Sequence, residues 1–387
     1  MDIYIMLLST LTLAASLRHG CKSDIDCSLN GVCDTFSGAC ACDPAWKGST
    51  CSRLNLLPMD KKNVINGAYK PGASTSWGAN VLQSSEDGLY HMFVAEMKGN
   101  CTLTSWIPNS QIVHAVATAL EGPYAFRDLL FDTFHHNPRL TRDPSDGSFL
   151  LFMIGGPLNS TASQGCAAIP ARQGELFDTR ILVSRATSLN GPWSAPKGPL
   201  VARGAVTEWD YVVTNPTPIV LPNGTTLMYY RGTPKYWSQS NADARGAPRP
   251  VGRPLDLPES VGLAVAPHWS GPYTKVFADP ILKVMNEDPF AWKNERGFHL
   301  LTHGRNDWWN THHSYSVDGL TWSSGADVAA DPNITLASGE IYRFTNRERP
   351  QIYFNESTGA PAVLFNGVCP DKKYTYAYTL AQAINQA

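Results

Sequence analysis

The chain has 387 residues, 43% of them hydrophobic and 17% charged, with a formal net charge of −2. That length holds a large core plus a small module. The balance of charge gives no basic face for nucleic acid, so nucleic-acid partners are excluded from the reading.

Residues 1–20 read as a secretory signal peptide. An apolar run from Ile3 to Ala15 is too short to span a bilayer and is followed by small residues, with cleavage expected between Ala15 and Gly20. No later stretch is apolar enough to span a membrane, so the mature protein is expected to be secreted and extracellular, without a membrane partner. Six of the nine cysteines then fall between Cys21 and Cys51, a density that belongs to an oxidising compartment. Sequons at Asn100, Asn159, Asn223, Asn333 and Asn355 point the same way, towards surface glycosylation.

The spacing Cys21-x5-Cys27-x5-Cys33-x6-Cys40-x-Cys42-x8-Cys51 leaves fifteen connectivities open by itself. With Gly48 before the last cysteine it resembles an EGF-like domain over residues 21–52. The resemblance implies the pairs Cys21–Cys33, Cys27–Cys40 and Cys42–Cys51. Three staples would restrict the unfolded chain of a segment too short to bury a core. Calcium-binding members carry acids before the first cysteine; here that stretch is Leu17 to Gly20, so no calcium is expected. The module reads as a spacer or adhesion unit, the place where a protein partner would bind. Residues 53–73 read as a linker. Of the three remaining cysteines, Cys101 and Cys166 are the expected pair, leaving Cys369 free or intermolecular.

From residue 74 to the end the sequence repeats, which decides the fold. One submotif ends in proline before a hydrophobic strand: His136-Asn137-Pro138, Thr214-Asn215-Pro216, Glu287-Asp288-Pro289 and Glu348-Arg349-Pro350. The other is an alternating strand that runs into a turn with an aromatic: Gly122-Pro123-Tyr124, Gly191-Pro192-Trp193, Gly271-Pro272-Tyr273, and Asp318 to Trp322. The first unit opens at Trp77 to Asn80 without the proline, and the fifth closes at Tyr374 to Tyr378. Five units of about 65 residues each hold four short antiparallel strands. No helical period appears, so residues 74–387 are expected to form an all-β five-bladed β-propeller. The turn aromatics are expected to pack between blades.

Innermost propeller strands line the central channel, so the residues before the prolines should converge at one end of it. They are Asn137, Asn215, Asp288 and Arg349, with Asn80 by position in the first blade, and His136, Thr214, Glu287 and Glu348 one step earlier. So many polar groups in apolar strands need partners, and a hydroxyl-rich carbohydrate is a natural one. Trp77, His303 and Asp210 join the candidate sugar-binding set. The tryptophans of Asn306 to Trp309 could stack on sugar faces or pack between blades.

On Asn137-Pro138, Asn215-Pro216, Glu287 to Phe290, Gly191 to Trp193 and Ser316 to Trp322, the repeat resembles the five-bladed superfamily of glycoside hydrolase families 43, 62, 117 and 130. The resemblance covers about 300 residues, within the size of a single domain. It implies general acid and base catalysis by carboxylates: Asp288 at an Asp-Pro position, and Glu287 and Glu348 at Glu-x-Pro positions. The first blade departs from the family, offering Asn80 where a base is usual. Asp288 with Glu348 is the expected pair; inverting hydrolysis needs carboxyls about 6.5–9.5 Å apart and retaining about 5–5.5 Å. The competing reading is an ion-pair network in which Arg349 neutralises Glu287 or Asp288.

No zinc, P-loop or nucleophile-elbow motif is present, and neither cofactor nor metal is expected. The reading is a secreted, furanosidase-like glycoside hydrolase, with a non-catalytic glycan-binding protein as the alternative. A phosphorylase is disfavoured by the lack of a basic phosphate cluster.

Overall fold

The computed structural model describes residues 20–156, 165–166, 179–234, 259–282, 284, 286–304, 310–371, 374 and 376–387. The signal segment before Gly20, the sequon at Asn159 and the run from Asn306 to Trp309 lie outside them.

Five antiparallel sheets stand around one axis. Their inner strands are Ser76–Gln83, His135–Arg142, Val212–Val220, Asn286–Lys293 and Asn346–Phe354. Each inner strand packs beside the next, and the fifth packs beside the first, so the ring is closed. Within a blade the strands follow chain order outward: four strands in blades one, three and four, and three in blades two and five, among the described residues. A closed ring of blades leaves no long inner edge unpaired, which is how short strands with Gly and Pro at their turns become stable together.

The turn aromatics fix each blade on the one before it. Trp193 of blade two meets Phe93 of blade one edge-on at 5.2 Å, and Trp322 of blade four meets Tyr229 of blade three at 5.5 Å. Tyr124 of blade one shares a core with Tyr353 and Val363 of blade five, and Tyr273 packs against the core that blades two and three share. Each ring buries a large apolar area at a seam where no backbone ladder can form.

The N-terminal module carries the three disulfides Cys21–Cys33, Cys27–Cys40 and Cys42–Cys51. It is docked on the propeller. Trp46 lies 6.5 Å from Trp292 in a stacked pair and 4.7 Å from His313, in one core with Cys27, Cys51, Phe290, Ile352 and Leu364. Polar contacts frame that seam: Arg296 bonds Asp43 at 2.5 and 3.0 Å, and Ser52 Oγ donates to Asp327 at 3.0 Å. Residues 53–73, read from sequence as a linker, are woven into the ring. Leu57 N–H donates to Ala383 and Ala68 N–H to Thr379, so this segment extends the outer edge of blade five.

Cys101 and Cys166 form a fourth disulfide, and Cys369 is a buried free thiol. Asn100, Asn223 and Asn333 are exposed and Asn355 is half-buried. Among the described residues no helix is long and apolar enough to cross a membrane. Four disulfides and an EGF-like domain mark an extracellular protein.

Candidate active site

Every inner strand carries one residue in the left-handed region at the same place, where the ladder to the second strand slips register. They are Gly78 (φ 61°), Asn137 (54°), Asn215 (49°), Asp288 (56°) and Arg349 (55°). Gly, Asn and Asp tolerate this region best, so four of the five residues suit the bulge; Arg does not. The bulge re-aims the side chain, here toward the axis.

This corrects one expectation. The first-blade counterpart of the residues before proline is Gly78, and Asn80 lies two residues further along. Asn80 accepts from Leu140 N–H at 2.7 Å and donates to Gln351 Oε1 at 2.6 Å, tying three blades together below the bulges. Gly78 leaves room: a methyl there would sit 3.3 Å from the Arg349 side chain.

The bulge residues bond to one another around the axis. Asn137 Nδ2 donates to Asn215 Oδ1 at 2.5 Å, and Asn215 Nδ2 to Asp288 Oδ1 at 2.7 Å. Arg349 closes the chain from the other side, with Nη1 at 2.9 Å from Asp288 Oδ1 and its backbone N–H at 3.2 Å from Oδ2. His303, on the second strand of blade four, places Nδ1 3.4 Å from Asp288 Oδ2. The residues one step earlier form an outer tier. Glu287 bonds Arg231 at 2.8 Å, and Arg231 also holds the buried Glu259. Glu348 Oε1 accepts from Asn346 Nδ2 at 2.9 Å and from Tyr374 at 3.2 Å. His136 meets Ser110 Oγ at 2.5 Å under the ring of Trp106.

Asp288, His303 and Glu348 are all buried and bring ligand-type atoms within 4.8 Å of one another. One oxygen of each carboxylate therefore lies within 4.8 Å of the other, near enough for the charge of one to act on the protonation of the other. Three such atoms could in principle hold a metal. The guanidinium of Arg349 already serves Asp288 as its cation, and we assign no metal there.

The environments split the two carboxyls. Burial opposes charge on Asp288, but Arg349 and then His303 outweigh it and hold the carboxyl well below the usual range. Burial pushes Glu348 up; His303 works against that, while the Asp288 charge adds to it. Burial also presses on His303, yet Glu348, Asp288 and Glu287 lift its pKa to about 9, so the ring is protonated at neutral pH. Burial and the facing Glu348 raise Tyr374, keeping its hydroxyl a donor.

Two sequence candidates stand apart from the cluster. Asp210 accepts from Tyr230 Oη at 2.8 Å and from Lys275 at 2.6 Å, a brace between strands of blade three. Trp77 is buried against Gly367 of blade five, in a core with Met97 and Cys369, so its face is not offered to a ligand. The cluster also contains residues that sequence reasoning missed: Arg231, Glu259, Asn346 and Tyr374. One signal was available for part of this set. The second strands of blades three, four and five carry a polar residue before glycine at or near their ends: Arg231-Gly232, His303-Gly304 and Asn366-Gly367.

A family model described as a Teneurin-like EGF domain matches residues 23–53. No curated protein matches the chain. A family 117 glycoside hydrolase from the marine bacterium Zobellia galactanivorans superposes with a TM-score of 0.58 at 15% identity, over 89% of this chain and 92% of that one. A chain described as a glycoside hydrolase gives 0.56 at 9% identity, over 87% and 92%. A thermostable family-43 glycoside hydrolase gives 0.50 at 12% identity, over 82% and 90%. At these identities the likeness is one of fold: the chain has the five-bladed propeller of glycoside hydrolases, preceded by an EGF-like domain.

Proposed function

We propose that the chain is a secreted glycoside hydrolase in which Glu348 is the general acid, acting on a furanoside or similar plant or algal glycan. The observation that carries the reading is the split between neighbouring carboxyls. Asp288 is held ionised and Glu348 is pushed toward its protonated form, within 4.8 Å of each other at the axis of a propeller. In this reading Glu348 gives its proton to the glycosidic oxygen as the bond to the anomeric carbon breaks. Glu287, whose side chain is 13% exposed and pairs with Arg231 at 2.8 Å, is the carboxylate assigned to assist water on that carbon. Asp288 is a positioning residue: its oxygens are taken by Asn215, Arg349 and His303, which leaves it a poor base. Asn137 and Asn215 hold Asp288 in turn, and Asn215, His136 and Arg349 present donors toward sugar hydroxyls.

A second reading is glycan binding without turnover, favoured by the saturation of Asp288 and by Gly78 in the first blade. A protein partner of the EGF-like module would meet its outward face, where Phe36 is fully exposed. One experiment separates hydrolysis from binding. Wild type and Glu348→Gln are incubated with arabinan, xylan, galactan and fucan fragments, and released sugar is measured beside binding. Release by wild type alone, with binding by both, supports the acid role. Binding without release by either protein leaves the second reading.

A further inference from the structure

Two residues beyond the bulges, the inner strands bring a second layer of side chains to the axis: Asn80, Arg139, Thr217, Phe290 and Gln351. The polar members other than Arg139 satisfy one another and the neighbouring backbone; Thr217 Oγ1, for example, accepts from Ala291 N–H at 2.8 Å. Arg139 is different. It reaches across the channel from blade two to blade four, donates from Nη2 to Ala291 O at 3.2 Å, and lies 4.0 Å over the ring of Phe290. Its Nε is buried with no hydrogen-bond partner, and no carboxylate pairs with the guanidinium among the described residues. Burial alone lowers its pKa to about 9. Arg139 is half-buried, and a partly desolvated charge without a carboxylate partner is costly unless something completes it.

The side chain forms part of the wall of a depression of about 840 Å³ at the end of the channel away from Asp288. Val81, Ile219, Trp292, Ile352 and Phe354 supply apolar wall. Of the other cations of the lining, Arg142 pairs with Glu356 at 3.5 Å, and Lys293 donates to Asn294 O at 3.3 Å. The depression is thus apolar in large part, and its wall holds the Arg139 guanidinium, which no carboxylate pairs among the described residues, with Lys293, Glu295 and the Arg142–Glu356 pair along the lining.

We propose that this depression is an oxyanion-binding site, in which Arg139 receives a sulfate, phosphate or carboxylate group, free or carried on a sugar. The fork geometry of a guanidinium matches two oxygens of such a group, and apolar walls strengthen the pairing by excluding water. Phe290 and Ala291 fix the guanidinium plane in advance, so little side-chain entropy remains to be lost on binding. The site is separate from the carboxylate cluster and does not depend on its chemistry.

The test is thermal unfolding of the full chain in sodium sulfate, sodium glucuronate and neutral glucose, each against sodium chloride at matched ionic strength. Wild type is expected to gain about 2–4 °C in Tm from the oxyanions over chloride, growing with the logarithm of their concentration, and nothing from glucose. Equal gains from sulfate and glucuronate indicate a free ion; a larger gain from glucuronate indicates an anionic sugar. Arg139→Met removes the charge at similar volume. It is expected to raise Tm in chloride and to lose the oxyanion gain, and Arg139→Lys, which lacks the fork, to keep less than half of it. No gain in wild type, or an undiminished gain in either variant, overturns the proposal.

Discussion

Arg349 of the fifth blade bonds Asp288 of the fourth twice, through its guanidinium at 2.9 Å and its backbone N–H at 3.2 Å. The pair holds an arginine in a left-handed conformation that its side chain disfavours. Removing Asp288 leaves Arg349 without its carboxylate, and removing Arg349 leaves the buried Asp288 with His303 as its one neighbouring cation within 4 Å among the described residues. Arg349→Met is therefore expected to destabilise the protein by about 3–5 kcal/mol, and Asp288→Asn in the Arg349→Met background to recover part of that loss. Denaturant unfolding of the two variants checks it.

His303 supplies a pH dependence. Its folded pKa of about 9 lies above the value of about 6.5 for an unfolded histidine. A raised pKa means that the folded state binds the proton more tightly. Its contribution is complete below pH 6.5 and is lost as pH rises through 9. Stability measured from pH 6 to pH 10 is expected to fall across that window, and more shallowly in His303→Gln.

Trp46 tests how the EGF-like module is held. Its ring is buried between the module and Trp292 and His313 of the propeller. Trp46→Ala is expected to cost about 3–5 kcal/mol, through the lost transfer energy and the cavity left behind. If the docking is as intimate as the shared core implies, wild type unfolds in one calorimetric transition. Two well-separated transitions in wild type would count against it.

Gly78 tests the bulge. Alanine there must adopt a φ near 61° and place a methyl 3.3 Å from Arg349. Gly78→Ala is expected to cost about 1–2 kcal/mol from the left-handed conformation alone. Equilibrium unfolding checks this. The control for contact is an exposed left-handed glycine such as Gly339, where an added methyl would meet nothing within 4 Å.

The fold was legible because its unit recurs: a proline one residue past four of the five bulges and a Gly-Pro-aromatic turn in three of the blades are local necessities repeated around a ring. The carboxylates could be located for the same reason, since Glu287, Asp288 and Glu348 stand beside those prolines. Blade one was misaligned because it lacks the proline. Only the backbone conformation of Gly78 reveals the equivalence, and glycine carries no side chain to suggest it. Arg349 fills the space that Gly78 leaves, a relation between distant blades that no local pattern records. Trp77 and Asp210 looked like ligand groups in isolation, but seam packing and a Lys275 brace engage them. The docked module was equally hidden, because the partners of Trp46 lie more than two hundred residues away.

The most direct test of the account is sugar release by wild type and Glu348→Gln across pH. With Glu348 as the proton donor, wild-type release falls as pH rises through the elevated pKa of that carboxyl, and the variant loses at least 100-fold, roughly the low end for removing a general acid. Turnover in Glu348→Gln equal to that of wild type would contradict it.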